Sequence, residues 1–260
     1  MKKRTAFIGA ILSLIPLSQP LIFKTGVVLS GSAVMFSLPE KVNAADNSYY
    51  FDRAYEKAEN GDHYGAIADY TKAIEINPKD HDSYHNRGVA REILGKCYEA
   101  ISDYIKALEL KADRPTSFHG IGNCKSELGD YEGAKIAYSK AIELDPQYAS
   151  AYNNLGLAKN DINDYYGAIS DYTKAIEINP QYADAYYNRG WSKEKLEDYY
   201  GAIFDYTKAI EINPNDKSAF KNRGIIKKKI GDMKGACSDW RQTVFLSPND
   251  AAANWVRNQC

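Results

Sequence analysis

From Asn47 onward the chain repeats itself every 34 residues, and this period limits what it can fold into more than any single motif does. The blocks run 47–80, 81–114, 115–148, 149–182, 183–216 and 217–250, and a remnant, 251–260, follows. Block position 20 is alanine every time, from Ala66 to Ala236. Position 8 is always small: Ala54, then Gly88, Gly122, Gly156, Gly190 and Gly224. Position 4 is always aromatic, and position 24 is tyrosine until Trp240 replaces it in the last block. Position 32 is proline except in block two, where it is Ala112.

Each block carries two packing stripes at helical spacing, positions 4, 7, 8 and 11, of which 7 is often arginine and 11 always basic, and the apolar positions 20, 24, 27 and 30. Small residues at 8, 20 and 27 allow two antiparallel helices to approach closely, and the rings at 4 and 24 fill the space between them. Each ring so buried contributes roughly 1.5–3 kcal/mol. Pairs such as Gly61-Asp62 and Gly129-Asp130 mark the turn inside a block, glycine ending the first helix and aspartate capping the second. Pro78 and its equivalents end the second helix. One block cannot bury its own apolar face, so stability must come from stacking neighbours.

In period and residue pattern the chain resembles the tetratricopeptide repeat (TPR) family over residues 47–250. That resemblance implies an all-α fold: a right-handed superhelix of six helix-turn-helix repeats with a C-terminal capping helix at 251–260. It also implies protein–protein recognition, with no catalytic site and no cofactor. The motifs typified by Asn188-Arg189-Gly190 and Asp205-Tyr206 resemble exported TPR proteins of photosynthetic bacteria. Some relatives in the wider family assist photosystem assembly and others serve secretion or pilus machinery.

The start of the chain is different in kind. Lys2, Lys3 and Arg4 precede an apolar run from Ala6 to Leu17, and a second runs from Thr25 to Leu38. Val42-Asn43-Ala44 suits signal peptidase, so residues 1–44 are expected to be a signal peptide cut after Ala44, or else an uncleaved membrane anchor. Either way the TPR domain, 45–260, is expected outside the cytoplasm, in a periplasm, thylakoid lumen or cell envelope. The membrane is then met only through the N-terminal segment. Those 44 residues hold five bases and one acid, which leaves 28 bases against 33 acids in the rest. An acidic repeat domain argues against nucleic acid as a partner.

Position 7 carries Arg53, Arg87, Arg189 and Arg223, and position 23 carries Asp69, Asp103, Asp171, Asp205 and Asp239. Block three has neither, and block four has Leu155 with Asp171. This pattern predicts an Arg–Asp bridge between paired helices rather than an anion site. His81 and His85 share a helix face, and His119 occupies the position of His85 in the next block. Three imidazoles could converge on Zn²⁺ or Cu²⁺, which gives the alternative reading of a metal- or small-molecule-binding protein.

In a TPR array the first helices line the concave groove, with positions 2, 5, 9 and 12 pointing inward and position 6 at the edge. The family's chaperone-tail binders pair lysine at position 5 with asparagine at position 9, and no block here has both. The resemblance therefore implies a different ligand: an extended peptide held by Asn86, Asn154, Asn188 and Asn222 at position 6. Tyr187 and Trp191 form an aromatic pair beside Lys221 and Lys228 at the C-terminal end, and Phe51 and Tyr55 form a second pair at the other end. The partner itself is not named by the sequence. Four cysteines in an oxidising compartment suggest two bridges between adjacent blocks, Cys97–Cys124 and Cys237–Cys260.

Overall fold

The computed structural model describes residues 44–260, and among these every regular element is an α-helix. The expected leader lies, up to residue 43, outside the described residues. The helices are α1 (Ala44–Glu59), α2 (His63–Ile76), α3 (His81–Ile93), α4 (Cys97–Leu110), α5 (Pro115–Glu127), α6 (Tyr131–Leu144) and α7 (Ala149–Asp161). They continue as α8 (Tyr165–Ile178), α9 (Ala183–Lys195), α10 (Tyr199–Ile212), α11 (Lys217–Lys229), α12 (Met233–Leu246) and α13 (Ala252–Gln259). Odd and even neighbours pack as pairs, each pair stacks on the next, and α13 closes the stack against α12. Odd helices of successive pairs also approach one another directly from α1 to α9. No pair of even helices does so to the same extent, which puts the first helices on the inner side of the superhelix.

The small residues at position 8 are where the paired helices touch. A Cβ on Gly122 would come within 2.4 Å of the Tyr138 ring, and one on Gly156 within 2.7 Å of Tyr172. Tyr70, Tyr104, Tyr138, Tyr172, Tyr206 and Trp240 are each at most 2% exposed. The alanines at position 20 are fully buried. These rings and methyl groups recur as five separate clusters along the stack, so the core is a row of similar layers.

The turn inside each block needs one left-handed residue. Gly61, Gly95, Gly129 and Gly231 supply it, but Asn163 and Glu197 hold the same conformation at φ 63° in blocks four and five. The aspartate that follows caps the next helix: Asp62, Asp130, Asp164, Asp198 and Asp232 each accept from the backbone N–H three residues on. In block two Lys96 stands at that position and makes no side-chain cap.

Candidate peptide-binding groove

The charged positions resolve into a clasp. Arg87 Nε and Nη2 donate to the two oxygens of Asp103 at 2.9 and 2.7 Å, and Arg189–Asp205 and Arg223–Asp239 repeat the same two distances. Arg53 holds Asp69 in the same way. The base at position 11 adds a second contact, as Lys57 does to Asp69 and Lys193 to Asp205, both at 2.7 Å. The third guanidinium nitrogen reaches back to the preceding block: Arg87 to Thr71, Arg189 to Thr173 and Arg223 to Thr207. The clasp therefore ties three helices and is structural. Its signal in the sequence is threonine at position 25 in the blocks just before an arginine block; blocks two and three have Ile105 and Ser139 there.

Where the clasp is incomplete, the carboxylate behaves differently. Hydrogen bonds from Arg53 hold Asp69 down at about 2. Burial pushes the Asp171 carboxyl up, against the pull of Lys159. Lys159 Nζ lies 2.6 Å from Asp171 Oδ2, a single contact in place of the bidentate arginine pair of the complete clasps.

The position 6 asparagines form a ladder between first helices. Asn154 Nδ2 donates to Asn123 Oδ1 at 3.0 Å and meets His119 Nε2 at 3.1 Å; its own Oδ1 accepts from Asn153. Asn188 donates to Asn153 Oδ1, and Asn222 donates to the Tyr187 hydroxyl. Asn86 lines the same cavity as the buried Tyr70. These amides join neighbouring repeats, and both N–H groups of the Asn154 amide are taken, which leaves only a second lone pair on its oxygen.

The residues at position 5 lie over the tyrosine at position 24 of their own block. Phe51, His85, His119 and Tyr187 stand 5.5–5.7 Å, ring to ring, from Tyr70, Tyr104, Tyr138 and Tyr206. Trp191 is half-buried against Tyr165 of the preceding block, and Lys195 stacks over its indole. Lys221 is occupied by Asp250 at 3.4 Å, whereas Lys228 is exposed and has no ion pair among the described residues.

The three histidines do not converge, and among the described residues no group of three His, Cys, Asp or Glu side chains is arranged to hold a metal ion. The metal-binding alternative is corrected on that geometry. His81 pairs with Asp82, His85 Nδ1 bonds Ser117 Oγ at 2.8 Å, and His119 is held by Asn154. Burial holds both His85 and His119 near 4, so they are neutral at ordinary pH.

The cysteines divide. Cys237 and Cys260 sit at bonding distance, 5.6 Å between Cα atoms, where α12 meets the end of α13. The expected Cys97–Cys124 bridge is corrected: both are buried free thiols. They share an apolar cluster with Tyr104 and Ile121, and the Cys97 thiol donates to Glu127 Oε2. Burial pushes both thiols up, which keeps them protonated and unreactive.

What remains open to a ligand on the first helices is a set of apolar side chains. Tyr55 is 54% exposed, Ile93 58% and Leu157 39%. Tyr55, Ala58, Asn86, Val89 and Ile93 surround a cavity of about 150 Å³ between α1 and α3. Ile93, at position 13, lies outside the inward positions expected from the repeat; α3 ends there, and its side chain turns toward α1 rather than packing.

A stack of helix pairs whose first helices present side chains along one inner face is a scaffold for recognising other proteins. Profiles described as tetratricopeptide repeat match residues 81–114, 149–182 and 183–216, and one described as TPR repeat matches 54–95 and 122–161. The chain belongs to the tetratricopeptide repeat family. Among solved structures it is similar to PilF of Pseudomonas aeruginosa, with a TM-score of 0.71 at 19% identity, over 83% of this chain and 98% of that one. It is also similar to MamA (TM-score 0.60, 26% identity, 68% of this chain and 96% of that one). YrrB, a TPR protein with an unusual peptide-binding site, matches with a TM-score of 0.60 at 23% identity, over 72% and 97%. No curated protein matches the chain. Among the described residues no helix is long and apolar enough to cross a membrane.

Proposed function

We propose that this chain is a non-catalytic, extracytoplasmic scaffold or assembly factor that holds an extended peptide segment along its first-helix face. The observation that carries the reading is the exposed apolar row of Tyr55, Ile93 and Leu157 on the inner helices. A partner that covers these side chains takes their apolar surface out of water, which favours association. The cavity beside Tyr55 takes one apolar side chain, and Asn86 stands at its edge. YrrB, which has this fold, carries a peptide-binding site. The basic and apolar start of the chain supports export, and a Cys237–Cys260 bridge would hold the last helix in an oxidising compartment.

The experiment is affinity capture from the native envelope with three versions of the protein. The parent and a variant with Tyr98→Ala and Tyr200→Ala, exposed on second helices, are expected to retain the same partner. A variant with Tyr55→Ala and Ile93→Ser is expected to lose it, by about 2 kcal/mol or more on the scale of interface hot spots. Loss in the second-helix variant with retention in the groove variant would place recognition on the wrong face and overturn the reading.

A further inference from the structure

Position 18, in the first turn of each second helix, is tyrosine in blocks one, two, four and five: Tyr64, Tyr98, Tyr166 and Tyr200. These rings are 66%, 75%, 77% and 76% exposed. A single exposed ring is ordinary on a protein surface, but four at one repeat position form a row along the outer edge of the stack. What stands beside each ring differs. The Lys96 ammonium lies over the Tyr64 ring, 5.0 Å from its centre. Lys96 occupies position 16 of the next block, where every other block has its capping aspartate. The same offset of 32 residues assigns Asp130 to Tyr98, Asp198 to Tyr166 and Asp232 to Tyr200. Those three rings have no cation and no other ring over them among the described residues.

The three carboxylates are not equivalent. Asp130 is held by Lys125 at 2.7 Å, which neutralises it. Asp198 and Asp232 are exposed and have no ion pair among the described residues; each caps its helix through Oδ1 and leaves Oδ2 free. Lys234 takes the tyrosine's place in block six and ends the row. Between blocks one and two, then, the chain lays its own ammonium on the ring, whereas at the next two junctions from block four the ring is open and its neighbour is an acid. A cation there meets the negative face of a ring and a carboxylate together, and the two attractions add. We propose that Tyr166 with Asp198 and Tyr200 with Asp232 are two copies of a cation subsite, which together dock a polypeptide segment bearing arginines or lysines. Arginine suits them best, because its planar guanidinium stacks on a ring while its N–H groups reach a carboxylate oxygen. Helices pack about 8–10 Å apart, so subsites one helix pair apart are separated by at most about 20 Å, which about six residues of extended chain can span. This edge lies on the second helices, away from the groove, so the proposal goes beyond the groove reading and either can fail alone.

The test titrates the full chain, by calorimetry at low ionic strength, with an acetylated and amidated peptide of four Gly-Ser-Arg units. Its basic residues recur often enough to match any spacing of the two subsites. Peptides of four Gly-Ser-Glu and four Gly-Ser-Ser units serve as controls. The arginine peptide is expected to bind, more weakly as salt is added, and the controls are not. Tyr166→Leu with Tyr200→Leu keeps apolar groups on the edge but removes the rings, and should weaken binding about tenfold. Tyr166→Phe with Tyr200→Phe keeps the ring faces and should bind within about twofold of the parent. Asp198→Asn with Asp232→Asn preserves both helix caps, removes two charges and should weaken binding severalfold. All these side chains are exposed, so an unchanged thermal melt is expected of every variant. No binding of the arginine peptide, equal binding of a control peptide, or full affinity in the leucine variant overturns the proposal. The groove variant, Tyr55→Ala with Ile93→Ser, should bind the arginine peptide as the parent does. Loss there would put the peptide in the groove and overturn the outer edge as its site. If the arginine peptide fails while the captured partner still depends on Tyr55 and Ile93, the edge falls and the groove reading stands.

Discussion

Blocks one, two, five and six close each helix pair with a buried aspartate gripped by an arginine and a second base, whereas block three closes it with Ile121 and Ala137. Block four stands between, with Leu155 beside a buried Asp171 that only Lys159 approaches. One repeat geometry thus accepts a satisfied charge cluster or an apolar contact at the same place. A carboxylate left between these two solutions is pushed toward its neutral form, since the desolvation cost is present without the bidentate bonds that offset it.

The largest effect is expected from breaking a complete clasp. Asp205→Asn leaves Arg189 and Lys193 largely buried without their carboxylate, and urea unfolding should show a loss of about 3–5 kcal/mol. Copying block three by Arg189→Ile with Asp205→Ala should recover most of it, because a buried pair exchanged for apolar groups is often close to neutral. Lys193 can then turn to Asp198, as Lys125 turns to Asp130 in block three. A double variant as unstable as the single one would show that the two solutions are not interchangeable.

The next effect separates the acid sensitivity of blocks two and three from that of the clasped aspartates. His85 and His119 are held near 4 by burial, below their ordinary value of about 6.5. The stability each contributes is present above 6.5 and is lost as pH falls from there toward 4. Asp69, at about 2, keeps its contribution down to about 4 and loses it only as pH falls further toward 2. Replacing both histidines with phenylalanine, the residue at that position in block one, should flatten the first window by on the order of 2 kcal/mol per ring. Melting curves from pH 7 to 3 check this; an unchanged slope between 6.5 and 4 would place the acid sensitivity elsewhere.

A smaller effect tests whether turn strain is independent of the clasp. Glu197, in a clasped block, and Asn163, in an unclasped one, both hold left-handed backbone. Glu197→Gly should raise stability by about 1 kcal/mol, and Asn163→Gly by less, because asparagine tolerates that region. The smallest effect belongs to Asp171. Its raised carboxyl means that its favourable contribution is complete below about 3.9 and is lost as pH rises through the folded value. Asp171→Asn is therefore expected to change stability at pH 7 by less than about 1 kcal/mol, in the stabilising direction. A loss as large as that of Asp205→Asn would erase the distinction between blocks four and five.

Much of this was legible in the chain itself. The six helix pairs follow from the 34-residue period, and the position 8 glycines from the rings that lie on them. The Arg–Asp clasps follow from co-occurrence within blocks, because a bidentate pair needs both partners on facing helices. The ligand surface was less legible. Trp191 looks like an anchor by type and position, but Tyr165 of the neighbouring block covers one edge of it. The asparagines look like free peptide holders, but their partners lie 31–35 residues away on adjacent first helices.

The sequence alone determined which residues pack within a block, because packing there is set by a 3.6-residue period and by side-chain size, both of which are local. Only the tertiary structure decided which side chains remain free for a ligand. That depends on how far one repeat is rotated onto the next, and so on which hydrogen bonds and ring faces the stacking consumes. Lys221 and Lys228 stand on one helix seven residues apart, yet the first meets Asp250 and the second is exposed at the rim of a cavity lined by Trp240 and Trp255. Nothing in the spacing of the two lysines distinguishes them; the position of the capping helix does.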